Sequence, residues 1–229
     1  MKKGNYGLDA PAIVTLYLLI GAGMIIIDIL IFPDSWIKYI GLYCLAFGLY
    51  MIYSSKIGKY KIRNKIIKKL RLNGSEIVLD VGCGRGLMLN GVAASLTSGR
   101  SYGVDIWSTK DQSGNNYDAV IQNAEIEGTL SKIEIINTDM RYLPFQDNYF
   151  DVIVSSLAIH NLKNNKDRKK ALLEMARVAK SGCKLALLDI AHIKYYQNVL
   201  ENSGFMIEYI DRYPLSIFPP CKILYARKS

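Results

Sequence analysis

The hydrophobic pattern divides the chain into two regions. Residues 1–55 contain two long uncharged apolar runs, at 10–27 and 39–55, with a short break between them. As a helix at about 1.5 Å per residue, the first run would be roughly 27 Å long, close to the thickness of a bilayer's hydrocarbon core. The pattern therefore predicts a transmembrane helical hairpin. Its two helices are expected at about 10–32 and 36–55.

Two other interpretations of the hairpin are open. Lys2 and Lys3 resemble the charged start of a signal peptide, although a leader explains neither the second run nor the length of the first. The two runs could also form a buried hairpin in a soluble protein. Asp28 is unfavourable in a membrane, but it lies near the end of the first helix, where a carboxylate can reach the interface.

Charged residues orient the predicted hairpin, because lysine and arginine are found preferentially on the cytoplasmic side of a membrane. Lys2 and Lys3 precede the first helix, residues 56–71 carry eight basic side chains and no acid, and the turn has only Asp34 and Lys38. We therefore expect a multi-pass protein of the cell membrane, with both termini and the region after the hairpin in the cytosol.

The net charge of +9 is concentrated in residues 56–71, since residues 1–55 are neutral overall and residues 72–229 carry a net charge of +1. The nearly neutral C-terminal region offers no basic track for a nucleic acid, so no nucleic-acid partner is expected. The apolar positions of the basic segment fall on one helical face: Ile62, Ile66, Ile67 and Leu70. This pattern predicts a juxtamembrane helix lying on an anionic membrane surface. A linker helix that packs on the following domain is the alternative.

The cysteine and histidine residues do not suggest a metal site. No two of the four cysteines have CxxC spacing, and only two histidines accompany them: Cys44, Cys83, Cys183, Cys221, His160 and His192. Neither a zinc site nor a disulfide framework is therefore expected, and the cysteines are expected to be free thiols.

From residue 72 onward, short β-branched runs alternate with helical stretches, which is typical of a parallel sheet covered by helices. Strands are predicted at 76–81, 101–105, 132–137, 150–155, 184–190, 205–211 and 222–227. Helices are predicted near 86–97, 115–127, 167–180 and 192–203. The last two strands leave no room for a helix between them, so they should pair through a loop. The predicted fold is α/β, a Rossmann-like seven-stranded mostly parallel sheet in residues 72–229, preceded by the membrane hairpin.

The stretch DVGCGRG, residues 80–86, follows the first predicted strand. A glycine turn between a strand and a helix can hold a pyrophosphate, but the spacing is GxGxG instead of GxGxxG, and the Lys-Ser/Thr pair of a P-loop is absent. Asp80 would repel a pyrophosphate and attract a cation. The turn therefore favours a cofactor with a positive end and no phosphate, and it argues against a nicotinamide-dependent oxidoreductase.

Several ordered motifs between about Glu76 and Gly204 resemble those of the class I S-adenosylmethionine-dependent methyltransferases, in their small-molecule branch. The motifs are VLDVGCGRG, YGVDIW, NTDMRYLPF, FDVIVSSLAIHNL and ALLEMARVAKSGCKLALLDI. The last of them has SGC in place of the branch's usual proline-glycine-glycine turn. The resemblance implies S-adenosylmethionine as the methyl donor and S-adenosylhomocysteine as its product.

The resemblance also implies a cofactor site. The methionine part of the cofactor would contact Asp80 and the turn residues Gly82, Cys83, Gly84 and Gly86, and the ribose would contact Asp105. The adenine would lie against Ile106, Trp107, Asp139 and Met140. Ser155 or Ser156 would lie beneath the sulfonium. Asp80 would complement the ammonium group, and Asp105 would accept hydrogen bonds from the ribose hydroxyls. Ordinary packing for Trp107 and a helix cap for Asp139 are the alternatives.

Methyl transfer from a sulfonium is an in-line displacement, so alignment and exclusion of water can supply most of the catalysis. A base helps when the acceptor is a hydroxyl or a thiol, and histidine titrates near neutral pH. His160, after the fourth strand, is the first candidate for a base or an orienting group, and a plain helix-start residue is the alternative. Asp189 and His192, at the end of the fifth strand, are second candidates.

The predicted hairpin narrows the choice of methyl acceptor. An active site at a membrane surface favours a small hydrophobic or amphipathic acceptor, such as a quinol, isoprenoid, lipid or thiol, with membrane lipids as partners. A methyltransferase of a protein or other macromolecule, a cofactor-binding scaffold and a hairpin that is only a tether are the alternatives. We also expect a chain without residues 1–55 to retain cofactor binding. The oligomeric state is not predicted.

Overall fold

The computed structural model describes residues 3–33, 35–107 and 115–229. Lys2 and Asp34, which contribute to the predicted orientation of the hairpin, lie outside the described residues. The chain begins with two antiparallel helices, α1 (Pro11–Leu30) and α2 (Ile37–Tyr53). Helix α1, and the continuous helix Ile37–Leu70 that begins with α2, are long and apolar enough to span a membrane by length and composition. This agrees with the two predicted helices in length and place.

Helices α1 and α2 pack tightly because glycines lie between them. A Cβ atom added at Gly21 would lie 2.8 Å from the carbonyl oxygen of Gly41, so only a residue without a side chain allows this separation. Asp28 is buried against the turn, where it accepts a hydrogen bond from the Ser35 hydroxyl, and Lys38 Nζ lies 4.0 Å away. The carboxylate is thus directed away from the apolar outer face of the hairpin.

The outer face of the hairpin is apolar. Many of its large side chains are exposed, among them Leu16, Leu19, Ile29, Leu30, Leu42 and Leu49. Such a continuous apolar surface is costly in water and suits a lipid environment.

Helix α2 continues without interruption through a π-helical turn, Ser54–Gly58, into α3 (Lys59–Leu70). The apolar face of α3 is buried: Ile62, Ile66 and Leu70 are at most 3% exposed and belong to a core cluster with residues of the sheet. The prediction that this face lies on a membrane surface is therefore wrong, and the alternative of a linker helix packed on the domain is correct. The amphipathic pattern shows that one face of the helix is apolar, but it does not determine whether lipid or the sheet covers that face.

The remainder of the chain forms a seven-stranded sheet in the order β3-β2-β1-β4-β5-β7-β6. The strands are β1 (Ile77–Val81), β2 (Arg100–Asp105), β3 (Ile133–Asn137), β4 (Phe150–Ser156), β5 (Ala179–Asp189), β6 (Phe205–Tyr213) and β7 (Cys221–Lys228). All neighbours are parallel except β7, which is antiparallel to both β5 and β6. The predicted α/β fold is confirmed.

Four helices accompany these strands: α4 (Leu87–Ala93), α5 (Tyr117–Glu127), α6 (Asn165–Val178) and α7 (Ile193–Glu201). Helix α4 ends earlier than predicted, because the backbone N–H groups of residues 97–99 donate to the Gly74 carbonyl. Strand β5 begins earlier than predicted, because Ala179 already pairs with Phe150 before an irregularity in the ladder.

The strand order places a switch point between β1 and β4, from which the chain builds the sheet in both directions. In open α/β sheets, ligands bind outside the carboxyl ends of the strands at such a point. Asp80, Asp105 and Ser156 lie at these carboxyl ends.

Candidate active site

A cavity of about 780 Å³ opens at the carboxyl ends of β1, β2 and β4. Most of the predicted site residues line it: Asp80, Gly82, Cys83, Gly84, Asp105, Ile106, Asp139, Met140, Ser156 and His160. The sequence prediction therefore found one connected site. Five predicted residues lie outside the lining: Gly86, Trp107, Ser155, Asp189 and His192.

The glycine turn requires its glycines for two different reasons. Gly82 has a φ of +72°, and a Cβ atom added there would lie 2.2 Å from the Cβ of Ala158. Gly86 has a φ of +84° and lies immediately before α4. The backbone N–H groups of Gly82 and Cys83 both donate to the Val104 carbonyl, at 2.8 and 3.1 Å. These contacts hold the turn close to the end of β2 and leave its backbone free of side chains toward the cavity.

Asp80 is the most unusual group in the cavity. It is only 1% exposed, and neither carboxylate oxygen has a hydrogen-bond partner among the described residues. Burial raises the pKa of Asp80 to about 8, and the charge of Asp105 raises it further, while the Leu89 amide opposes the shift. A buried carboxylate without a partner is costly, and a cationic ligand group would remove that cost. The residue fits the ammonium of S-adenosylmethionine.

Asp105 fixes the turn while it lines the cavity. Its Oδ2 accepts from the Gly84 N–H at 2.8 Å, and its Oδ1 accepts from the Trp107 N–H at 2.7 Å. The Trp107 indole N–H in turn donates to the Gly84 carbonyl at 3.2 Å. The carboxylate therefore couples the end of β2 to the glycine turn, and ribose binding by Asp105 stays a prediction.

Trp107 does not belong to the cavity lining. Its ring packs edge-on against Tyr117, with 5.7 Å between the ring centroids. The indole is held by the Gly84 carbonyl and packs on Tyr117, and the contact of Trp107 with adenine stays a prediction. Ile106 lines the cavity and is 54% exposed, and its contact with adenine stays a prediction.

Asp139 lines the cavity, but an arginine already holds its carboxylate. The Arg141 side chain donates to both oxygens at 2.6 to 3.1 Å and also lies 3.0 Å from Asp167. Hydrogen bonds from Arg141 lower the pKa of Asp139. The carboxylate is therefore ionised and fixed, and it does not cap a helix. Its contact with an adenine amino group stays a prediction.

The two predicted serines have different environments. The Ser155 hydroxyl is buried and donates to the Val81 carbonyl at 2.7 Å, so it fastens β4 to β1. Ser156 lines the cavity. Of the two alternatives for the position beneath the sulfonium, the geometry favours Ser156. Cys83 is buried, which raises the pKa of its thiol well above the usual value and keeps it neutral.

His160 and Asp189 form a pair at the other end of the cavity. Nδ1 of His160 lies 2.6 Å from Oδ1 of Asp189, and Asp189 is 2% exposed. Its Oδ2 accepts from the His160 backbone N–H at 3.2 Å and from the Tyr196 hydroxyl at 3.1 Å. The Asp189 carboxylate thus lies beside the His160 ring and behind the cavity wall, although Nδ1 has no hydrogen-bond partner among the described residues.

His192 does not join this pair. It lies just before α7 with a φ of +62°, outside the cavity lining. Its ring centroid is 6.3 Å from that of Tyr196. The prediction of His192 as a second catalytic candidate is therefore not supported by its position.

The N-terminal strap, residues 3–9, forms part of the cavity wall through Tyr6 and Asp9. The ammonium of Lys59 holds it, donating to the Tyr6 carbonyl at 2.8 Å and to the Asp9 carboxylate at 3.3 Å. The Gly4 N–H donates to Glu127 at 3.0 Å. Sequence reasoning missed this contribution, because no local pattern in the strap indicates that it reaches back to the sheet.

The loop between β6 and β7, residues 214–220, is a second part of the wall that the sequence did not predict. Ile217, Phe218 and Pro219 line the cavity from the side of the hairpin. The Phe218 N–H donates to the Ser54 hydroxyl at 2.6 Å. The loop therefore lies between the hairpin and the cavity.

Parts of this chain are similar to known proteins. Residues 79–187 match the family model of a methyltransferase domain. The chain is 38% identical over 65 residues to the ubiquinone/menaquinone biosynthesis C-methyltransferase UbiE of Francisella tularensis subsp. novicida, covering 28% of this chain and 25% of that protein. It is 30% identical over 135 residues to the 2-phytyl-1,4-naphtoquinone methyltransferase of Trichormus variabilis, covering 58% of this chain and 55% of that protein. The chain thus spans between a quarter and just over half of these relatives.

A solved structure shows the same fold. The SAM dependent methyltransferase from Aquifex aeolicus superposes with a TM-score of 0.59 at 22% identity, covering 73% of this chain and 89% of that chain. The strand order and the glycine turn thus belong to the same fold as this structure, and residues 79–187 are similar to a methyltransferase domain.

Proposed function

We propose that this chain transfers a methyl group from S-adenosylmethionine to a small hydrophobic or amphipathic acceptor at a membrane. The observation that carries the proposal is the buried, unpartnered carboxylate of Asp80 beside the glycine turn. A phosphate-bearing cofactor would meet electrostatic repulsion there, whereas an ammonium group would supply the buried carboxylate with a counter-charge and hydrogen-bond donors.

The chain's own residues would hold the donor at one end of the cavity. Asp80 pairs with the ammonium, the backbone of Gly82 and Gly84 allows close approach, and Asp105 accepts from the ribose hydroxyls. When bound, S-adenosylmethionine supplies an electrophilic methyl group. Burial of this end excludes water, and the fixed turn and carboxylates orient the methyl group along the cavity.

The acceptor would approach at the end of the cavity where His160 lies. Nδ1 of His160 lies 2.6 Å from the Asp189 carboxylate, so Nε2 is the ring nitrogen proposed to accept a proton. His160 would accept the proton that the acceptor's O–H, S–H, N–H or C–H bond loses when the acceptor is methylated. His160 is thus the proposed base, and Asp189 a positioning residue.

Three observations support a small acceptor of low polarity. The acceptor end of the cavity includes Leu157, Leu162 and Ile190. The two relatives compared above are named for quinone substrates. The hairpin has an apolar outer face. We propose that the hairpin is embedded in the cell membrane with the catalytic domain in the cytosol, because the bases of α3 follow the second helix.

A transfer assay tests the proposal. The full chain in membranes is incubated with methyl-labelled S-adenosylmethionine and separate pools of quinols, thiols and lipids. We expect label in the product of one pool and none with Asp80→Ala or Asp105→Ala, and a matched Asp118→Ala variant, on the surface of α5, should retain transfer. Label in a protein or RNA fraction would instead favour a macromolecular acceptor. Cofactor binding without any transfer would favour a scaffold.

A further inference from the structure

Phe218 connects the cavity to the hairpin. It lines the cavity beside Ile217, and it packs edge-on against two rings of α2. Its ring centroid lies 5.1 Å from that of Phe47 and 6.2 Å from that of Tyr50. Both partners belong to the last two turns of α2. One side chain therefore touches both a membrane-spanning candidate helix and the wall of the active-site cavity.

Several contacts set the position of the β6–β7 loop on α2. The Ser54 hydroxyl accepts from the Phe218 N–H at 2.6 Å, and the Tyr50 hydroxyl donates to the Ile217 carbonyl at 3.4 Å. At Gly58, an added Cβ atom would lie 2.0 Å from the Ser216 carbonyl oxygen. The loop and the end of α2 thus form one surface, and a change in either moves the wall of the cavity.

The cavity lining includes a set of apolar side chains in addition to the carboxylates of the cofactor end. They are Leu157, Leu162, Leu188, Ile190, Ile217 and Phe218, and the charged side chains of Asp9 and Lys59 line the same cavity. The cofactor end contains Asp80 and Asp105. An apolar chain would gain free energy by leaving water for the apolar side chains and would lose it beside the carboxylates.

We infer that the acceptor carries a long apolar tail, which enters the cavity from the bilayer along the surface that α2 and the β6–β7 loop form together, and that Phe218 is the residue the tail passes. This inference rests on the proposed function and narrows its acceptor to a methylatable head on a hydrocarbon or isoprenoid chain. The tail stays against Phe47 and Phe218 while the head reaches His160.

Photolabelling tests the entrance without knowledge of the head group. The full chain is placed in phosphatidylcholine nanodiscs with a palmitic acid analogue that carries a mid-chain diazirine, irradiated and mapped by mass spectrometry. We expect label on residues 217–219 and on Leu188, which lines the cavity and is only 4% exposed. Label confined to the outer faces of α1 and α2 would contradict the proposed entrance for the tail.

Variants of one loop supply the controls. Phe218→Asp places a charge in the path of the tail and should lower labelling of Leu188 at least about tenfold, whereas Phe218→Leu should retain it. Leu215→Asp changes the same loop at a site that is 77% exposed and outside the lining, and it should have no effect. Full labelling in Phe218→Asp, or an equal loss in Leu215→Asp, would contradict the role of Phe218.

Calorimetry on the same nanodiscs separates the two proposals. If the unaltered chain does not bind S-adenosylmethionine, the proposed function fails. If it binds the cofactor but Leu188 and residues 217–219 stay unlabelled, only the entrance fails.

Discussion

The carboxylate of Asp80 combines full burial with a lack of hydrogen-bond partners among the described residues. Its pKa of about 8 lies above the ordinary 3.8, so the protein without cofactor loses stability as pH rises from about 4 to about 8. Near pH 7 the group is mostly protonated, and it must release its proton to pair with an ammonium.

Cofactor binding should therefore depend on pH through Asp80. Between pH 6 and pH 7 we expect the affinity for S-adenosylmethionine to rise roughly tenfold, with release of close to one proton near pH 7. Calorimetry in buffers of different ionisation enthalpy measures that proton. Asp80→Asn should bind more weakly, release none and show a flat profile. A flat profile in the unaltered chain would show that Asp80 does not face the ammonium.

Alanine substitutions at Gly82 and Gly128 distinguish the free-energy cost of backbone strain from the cost of a steric clash. Both have positive φ, +72° and +70°, but a Cβ atom at Gly82 would lie 2.2 Å from Ala158, whereas nothing lies within 4 Å at Gly128. Gly128→Ala should cost only strain, about 1 kcal/mol. Gly82→Ala adds a steric clash, for a total of about 2–4 kcal/mol, and should also weaken cofactor binding. Urea unfolding measures both, and equal losses would contradict the close approach at Gly82.

The pairing of His160 with Asp189 predicts a division of roles. With a quinol acceptor, His160→Gln should lower kcat by about 10²–10⁴ because no base remains. Asp189→Asn should lower kcat less and alter the pH–rate profile, since it misorients the ring without removing it. His192→Gln is the matched control, because His192 lies outside the cavity lining. An unchanged kcat in His160→Gln would remove His160 from the mechanism.

At the scale of elements, the sequence predicted those strands and turns whose formation depends on residues close together in the chain. Alternating β-branched runs located all seven strands, and the glycine turn with Asp80 located the cofactor end. The sequence did not predict that the sheet buries the apolar face of α3, because Ile62 and Ile66 could pack equally well against lipid or against a sheet. The Trp107 indole is held by a hydrogen bond to the Gly84 carbonyl, and the strap is held by hydrogen bonds from Lys59. The hydrophobic pattern of the sequence does not indicate either contact.

The strap changes the expected result of removing the hairpin. The Asp9 N–H donates to the Ser55 hydroxyl at 3.0 Å, so the two ends of the hairpin are in contact and about six glycine and serine residues can replace residues 11–53. That protein should bind S-adenosylmethionine within about threefold of the full chain, because Lys59 keeps its partners.

Deletion of residues 1–55 should instead weaken cofactor binding by about tenfold or more, in contrast to the expectation from sequence alone. It removes Tyr6 and Asp9 from the wall and leaves the buried ammonium of Lys59 without acceptors. Calorimetry on the two proteins compares them directly. Equal affinities would show that the strap has no part in the cofactor site.

At the scale of the whole molecule, the hairpin and the sheet are joined at three places. Helix α2 runs directly into α3 on the sheet, the strap returns from α1 to the cavity, and the β6–β7 loop rests on α2. The cavity is consequently closed on one side by parts of the chain that adjoin the hairpin. This arrangement gives a physical reason for placing the acceptor's route beside the membrane.

The central claim is that the cavity is an S-adenosylmethionine site, and its most direct test is a calorimetric titration of the full chain with that cofactor. The account predicts saturable binding with one cofactor per chain, which Asp80→Ala and Asp105→Ala each abolish while the thermal unfolding transition remains cooperative. Absence of binding to the unaltered chain, or unchanged affinity in Asp80→Ala, would contradict it.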